Sequence, residues 1–115
     1  MLPKNNRLKR EKDFQEVMKR GKGLRGDFLF LKFLKNNFKI TRVGFIVSRK
    51  ITKKASQRNR IKRRLREGVR GGLTKLKKGY DLVFIAQKGI EKKKFFEIKE
   101  EIDQLLKKVK LLKDD

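Results

Sequence analysis

The stretch Arg49–Arg66 reads RKITKKASQRNRIKRRLR, and ten of its eighteen residues are Lys or Arg. No acidic residue occurs between Phe28 and Arg66. From about Ser56 to Val69, Ile61, Leu65 and Val69 recur every fourth residue, which lays a narrow apolar stripe along one side of a helix. Asn59, Lys62, Arg63, Arg66 and Arg70 fall on the side away from that stripe. The stripe predicts docking onto a sheet, with a cationic face left in solvent. Arg58, Lys62, Arg66 and Arg70 are all positive at i, i+4 spacing, where like charges repel. A helix kept only for solubility mixes Glu with Lys, so this face predicts a polyanionic partner. Asn59, between Arg58 and Arg60, adds a planar group that both donates and accepts hydrogen bonds, suited to a base edge or a ribose hydroxyl.

Outward from this helix the apolar period becomes two. Upstream, Ile40–Ser48 (ITRVGFIVS) alternates Val43, Phe45 and Val47 with Arg42, Gly44, Ile46 and Ser48. Before it, Phe28–Leu34 (FLFLKFL) places Leu29, Leu31 and Phe33 on one face and Phe28, Phe30 and Lys32 on the other. With Asn36-Asn37 between them, these two strands read as an antiparallel hairpin. Downstream, Gly71-Gly72 ends the helix, Leu73–Lys78 reads as one further turn, and Tyr80–Ala86 (YDLVFIA) is apolar enough for a central strand. Lys22–Asp27 reads as a loop with two glycines, and Gln87–Lys94 as a charged loop.

Two more helices close the pattern. Phe14, Val17 and Met18, with Asp13 and Glu16 spaced as a capping box and Gly21 as a stop, predict a helix over about Arg10–Arg20. Phe95, Ile98, Ile102, Leu105, Val109 and Leu112 form the seam of a long amphipathic helix that covers the sheet; about two and a half heptads are too few for a coiled coil. The order α-β-β-α-β-α predicts an α/β two-layer domain with one modest core, spanning residues 1–115. Residues 1–9 and 113–115 are expected to be mobile.

Composition narrows the chemistry. The 115 residues carry 36 Lys and Arg against 13 Asp and Glu, a net charge of +23. That excess selects nucleic acid or an anionic membrane as partner. The Glu97, Glu100, Glu101 and Asp103 cluster on the last helix argues against the membrane. Cysteine and histidine are absent, which removes thiolate chemistry, the usual general base and the usual metal ligand. Asp13, Glu16, Asp27, Glu67 and Asp81 lack the paired-acid spacing of a metal-dependent nuclease. No apolar run approaches the roughly 20 residues of a membrane span, and the N-terminus has no signal-peptide core, so a cytoplasmic protein is expected. Phe14, Phe28 and Phe30 read either as core or as a platform for an unstacked base beside Lys32. A small ribosomal or general RNA-binding protein fits the charge equally well.

The run Ala55–Glu67 (ASQRNRIKRRLRE) resembles the arginine-asparagine-arginine signature of the bacterial ribonuclease P protein subunit. Asp13-Phe14 with Val17 and Lys19–Gly21 resembles that family's first helix, Arg42-Val43-Gly44 with Val47–Lys50 the strand entering the signature, and Tyr80–Ala86 the strand leaving it. The likeness covers about residues 7–110. It implies a parallel β-α-β unit with left-handed crossover through the basic helix, an exception to the usual handedness. It also implies a ribonucleoprotein endonuclease that removes the 5′ leader from precursor transfer RNA. The RNA subunit would carry the chemistry with bound Mg2+, and the protein, one per RNA, would supply no catalytic residue and no metal site. Arg49, Lys53, Lys54, Arg58, Asn59, Arg60, Lys62, Arg63 and Arg66 would bind the catalytic RNA. Arg7, Phe14, Val17, Met18, Phe28, Phe30, Lys32, Ile46, Ser48 and Lys50 would line the leader cleft; a shift of one residue along the strand brings Leu31 and Phe33 there instead. DNA and membranes would not be partners. Met18 and Lys32 stand where relatives often carry aromatics, and Thr52-Lys53-Lys54 is one residue longer than in some relatives.

Overall fold

The computed structural model of the protein describes residues 2–113. In chain order it has α1 (Glu11–Arg20), β1 (Lys22–Arg25), β2 (Leu29–Lys35), β3 (Arg42–Ile46), α2 (Ala55–Arg70), β4 (Tyr80–Ala86) and α3 (Phe95–Lys108). The strands form one mixed sheet in the order β1-β2-β4-β3. β4 is buried on both faces along most of its length, as its continuous apolar run predicts, and it lies between β2 and β3, antiparallel to the first and parallel to the second.

That placement overturns the hairpin expected between the second and third strands. A strand apolar from Leu82 to Ala86 cannot sit at an edge without exposing itself, so β4 displaces β3 from β2. The Asn36-Asn37 turn still forms, with Asn36 Oδ1 accepting from Phe38 N at 2.8 Å, but the chain that follows crosses the start of β4. The segment read as a loop at Lys22–Asp27 contains β1, which pairs antiparallel with β2 through Lys22↔Phe33 to Arg25↔Phe30. A Cβ on Gly23 would lie 2.6 Å from the Phe30 ring, so glycine here is what lets the ring lie over the edge strand.

Helices cover the sheet unequally. Ile61, Leu65 and Val69 of α2 and Ile98, Ile102, Leu105 and Leu106 of α3 pack on Leu29, Leu31, Val43, Val47, Leu82 and Phe84, making the main core. On the opposite face α1 contributes Val17 to a small cluster with Leu8 and Val83. The expected capping box on α1 does not form: the helix starts at Glu11 after Arg10, without a side-chain cap, and Asp13 turns to the sheet instead. The lead-in expected to be mobile is packed from residue 2. Leu2 and Leu8 are buried, Leu8 N donates to Val43 O at 2.9 Å, and Asn6 Nδ2 donates to Thr41 O at 2.8 Å. At the other end Lys113 N donates to Lys75 O, while the expectation for Asp114 and Asp115 lies outside the described residues.

Candidate nucleic-acid interface

The first surface is the outer side of α2. Because Ile61, Leu65 and Val69 are buried, Asn59, Arg63 and Arg70 are forced into solvent, as the helical phase predicts, and Arg60 is exposed beside them. Arg49, Lys53 and Lys54 are exposed in the turn that leads into the helix. No acidic residue stands in the first turn of α2 to offset the partial positive charge of the helix start, so the dipole adds to the side-chain field. Arg58 is not aimed outward. Its Nη1 donates to Thr52 O at 3.1 Å and Lys53 O at 2.8 Å, which ties the guanidinium to the preceding turn. Arg64, on another flank, donates to Lys93 O at 3.1 Å. Lys62 and Arg66 are partly covered and lean toward the N-terminal segment and β3, where with Arg7, Lys9, Phe14 and Gly44 they border a cavity of about 250 Å³.

The second surface is the sheet face under α1. Strand pairing aligns Phe30 with Ile85, and Ile85 with Ile46, in one row. Phe30, Ile85 and Ile46 are half-buried rather than covered. With strands about 4.8 Å apart the row spans roughly 10 Å. At one end Arg25 stacks on the Phe30 ring at 5.3 Å. At the other, Ile46 meets Phe14, Phe45, Val47, Lys9, Lys62 and Glu11 around a cavity of about 340 Å³. Phe14 rises from α1 with its ring against Gly44, and Met18, 37% exposed, stands one turn further along. The result is an apolar floor with an aromatic at each side and a rim on which Arg25, Lys9 and Lys62 outnumber Glu11.

The expected cleft residues divide. Phe14, Met18, Phe30, Lys32 and Ile46 share this face, which settles the phase of β2: Leu29 and Leu31 point into the main core. Val17 is fully buried and can only support the floor. Phe28 is a correction. It precedes the strand, so alternation does not apply to it, and it packs in the main core with Lys93 stacked on its ring at 5.4 Å. Lys32 Nζ donates to Met18 O at 2.7 Å, and so is engaged with α1. Ser48 and Lys50 are exposed just past the end of β3, with Ser48 Oγ accepting from Lys50 N. Arg7 Nε donates to Leu2 O at 2.8 Å, holding the N-terminal segment. Arg25 and Ile85 belong to the site and escape sequence reasoning. Alternation in YDLVFIA could have put Ile85 on the Val83 face, but Arg25 required knowing that β1 exists.

The deepest carboxylates are used internally. Asp81 accepts from Arg42 Nε at 2.9 Å and Nη2 at 2.6 Å, and Glu101 accepts from the amides of Asp27 and Phe28, both at 2.9 Å. The Asp81 hydrogen bonds, with the nearby Asp81 and Asp13 charges, hold the Arg42 pKa above its usual value against partial burial. Among the described residues no group of three or more acidic side chains converges as a metal site would require, and no helix is long and apolar enough to cross a membrane. A larger cavity, about 570 Å³ between the end of α2 and α3, is bordered by Glu100 and Asp103 as well as lysines, which suits a polyanion poorly.

Comparison with known proteins gives one consistent family. A family model described as Ribonuclease P matches residues 2–110. The ribonuclease P protein component of Pseudanabaena sp. is 40% identical over 113 residues, covering 97% of both chains. The ribonuclease P protein of Thermotoga maritima superimposes with a TM-score of 0.81 at 34% identity, over 89% of this chain and 96% of that one. That of Staphylococcus aureus gives a TM-score of 0.85 at 26% identity, over 93% and 97%.

Proposed function

The chain belongs to the ribonuclease P protein family and is part of the ribonuclease P endonuclease; from that premise we propose how it works there. The outer face of α2 binds the catalytic RNA, one protein per RNA, and the cleft between α1 and the sheet takes the single-stranded 5′ leader of precursor transfer RNA. The complex works in the cytoplasm, and its partners are these RNAs rather than DNA or membranes. Magnesium, held by the RNA subunit, activates the water that cuts the leader, and no residue of this chain enters the chemistry. Asn59, Arg60 and Arg63 neutralise and position phosphates of the catalytic RNA. Phe14 and Phe30 receive leader bases by stacking, over the floor of Ile85 and Ile46.

One observation carries this reading. Lys62 borders the cavity that Phe14 and Ile46 also border, so the helix meeting one RNA flanks the cleft meeting the other. Two polyanions repel, and a +23 scaffold that touches both lowers the cost of bringing them together. The test is cleavage of precursor transfer RNA in magnesium at low salt by protein alone, cognate RNA alone, or both. We expect no cutting by protein alone and strong rescue of the RNA by the protein. Phe14→Ala is expected to weaken binding of the precursor by roughly 5- to 150-fold, the span of one lost base–aromatic stack, and to leave mature transfer RNA unaffected. Equal loss for both RNAs would remove Phe14 from a leader site.

A further inference from the structure

α1 has a small anchor. Its buried contact with the sheet rests on Val17, with Leu8 and Val83 beside it, and its outer positions are exposed. A wall held so lightly would rock, and the cleft beneath it would change width. Two polar ties compensate, one near each end of the helix. In the first turn Asp13 Oδ2 accepts from Arg42 Nη1 at 3.4 Å, with both side chains less than a fifth exposed. In the last turn Lys32 Nζ donates to Met18 O at 2.7 Å, a carbonyl that the end of a helix leaves without an intrahelical partner. A cation there also opposes the negative end of the helix dipole.

Arg42 is itself immobilised. Its fork grips Asp81 of β4 at 2.9 and 2.6 Å, Asn36 Nδ2 donates to the same carboxylate at 2.8 Å, and Phe38 covers the guanidinium at 4.6 Å. One guanidinium therefore joins β3, β4 and α1. The residue it holds, Asp13, directly precedes Phe14. Gly44, whose missing Cβ makes room for the Phe14 ring, lies two residues beyond Arg42 on the same face of β3.

We propose that Arg42, acting through Asp13, and Lys32, acting through the Met18 carbonyl, are positioning residues that fix α1 over the sheet and so set the leader cleft at the width that lets Phe14 stack. Lys32 then serves the leader by holding its wall, rather than by contacting phosphate. The proposal rests on the leader reading above and adds to it the device that sets selectivity.

The experiment uses holoenzyme reconstituted with the cognate RNA, and measures binding of precursor and of mature transfer RNA for wild type, Asp13→Asn, Phe14→Ala and the double variant. Asp13→Asn keeps the shape and the Asp81–Arg42 pair but removes the charge that holds α1. It is expected to lower the preference for the precursor by roughly 2- to 30-fold, the size of coupling carried by one such network, with mature transfer RNA binding unchanged and Tm lowered by a few degrees at most. The double variant should be no worse than Phe14→Ala alone, because both act through one ring. Lys32→Met, which removes the other tie, should shift the preference the same way. If Phe14→Ala abolishes the preference while Asp13→Asn leaves it intact, or if the two effects simply add, the positioning role is overturned and the leader site stands. If Phe14→Ala itself changes nothing, the leader reading falls first. An equal loss for both transfer RNAs in Lys32→Met also overturns the proposal.

Discussion

Phe14 and Gly44 are matched to each other across the gap between α1 and β3. A Cβ at position 44 would stand 2.4–2.5 Å from the far edge of the Phe14 ring, too close to persist, and 3.2 Å from Leu8 Cβ, yet the nearest obstruction is the far end of a side chain rather than backbone. Gly44→Ala is therefore expected to cost only about 1 kcal/mol, a few degrees in Tm by thermal unfolding, while turning the ring and weakening precursor binding. Asp81 predicts the opposite profile. Its side chain is 9% exposed and its partner Arg42 18%, so Asp81→Ala strands a guanidinium that is mostly out of water. The expected loss is about 3 kcal/mol in chemical denaturation, a large share of the total stability of a small domain. The sequence displayed Arg42 and Asp81 only as polar positions in apolar strands. Their pairing depends on β3 lying parallel beside β4, a neighbour relation implied by the β-α-β unit of the family resemblance but displayed by no pattern in the residues themselves.

Among the elements, those with a strong apolar period were readable and those without were not. α2 and α3 each bury one stripe: Ile61-Leu65-Val69 placed α2 within a residue of its observed ends, and the seam from Phe95 placed the start of α3, but that helix ends at Lys108, and Val109 and Leu112 of the expected seam lie beyond it. β1 has four residues, two of them cations and one a glycine, and only Leu24 touches the main core. An edge strand gains its order from backbone pairing with β2, which leaves no period to read, and its charges guard the open edge. Lys22–Asp27 thus looked like a loop, and Arg25, stacked on Phe30, went unseen as part of the cleft. The two-sidedness of α2 gives a sharp test. Leu65→Ala removes a fully buried side chain and is expected to destabilise by roughly 2–5 kcal/mol. Arg63→Ala, one face round, should leave Tm within about 3 °C and weaken affinity for the catalytic RNA. Comparable Tm losses in the two variants would contradict the division of the helix into docking and binding faces.

In the molecule taken as a whole, 36 cations and 13 anions share a body only 36 × 32 × 25 Å in extent. Several of the anions are consumed in holding it together: Asp81 and Asp13 on Arg42, and Glu101 on the Asp27–Phe28 turn. What remains on the surface is self-repulsion that the core must overcome, and the same charge is what the catalytic RNA neutralises. Salt should therefore move stability and affinity in opposite directions. At 0.01 M the Debye length is about 30 Å, so every cation feels nearly every other, whereas at 0.1 M it is about 10 Å and only neighbours interact. The free protein's Tm is expected to rise across that interval as the repulsion is screened. Over the same interval affinity for the catalytic RNA should fall, with a log–log slope of about −4 if roughly five phosphates are neutralised. Arg63→Ala should flatten that slope by about one unit, because one fewer phosphate contact releases one fewer counterion. A Tm that falls with salt would mean that attractive pairs such as Arg42–Asp81, rather than net repulsion, dominate the electrostatics of the free chain. A slope near zero would mean that α2 holds its RNA by shape and hydrogen bonds, with its cations as bystanders.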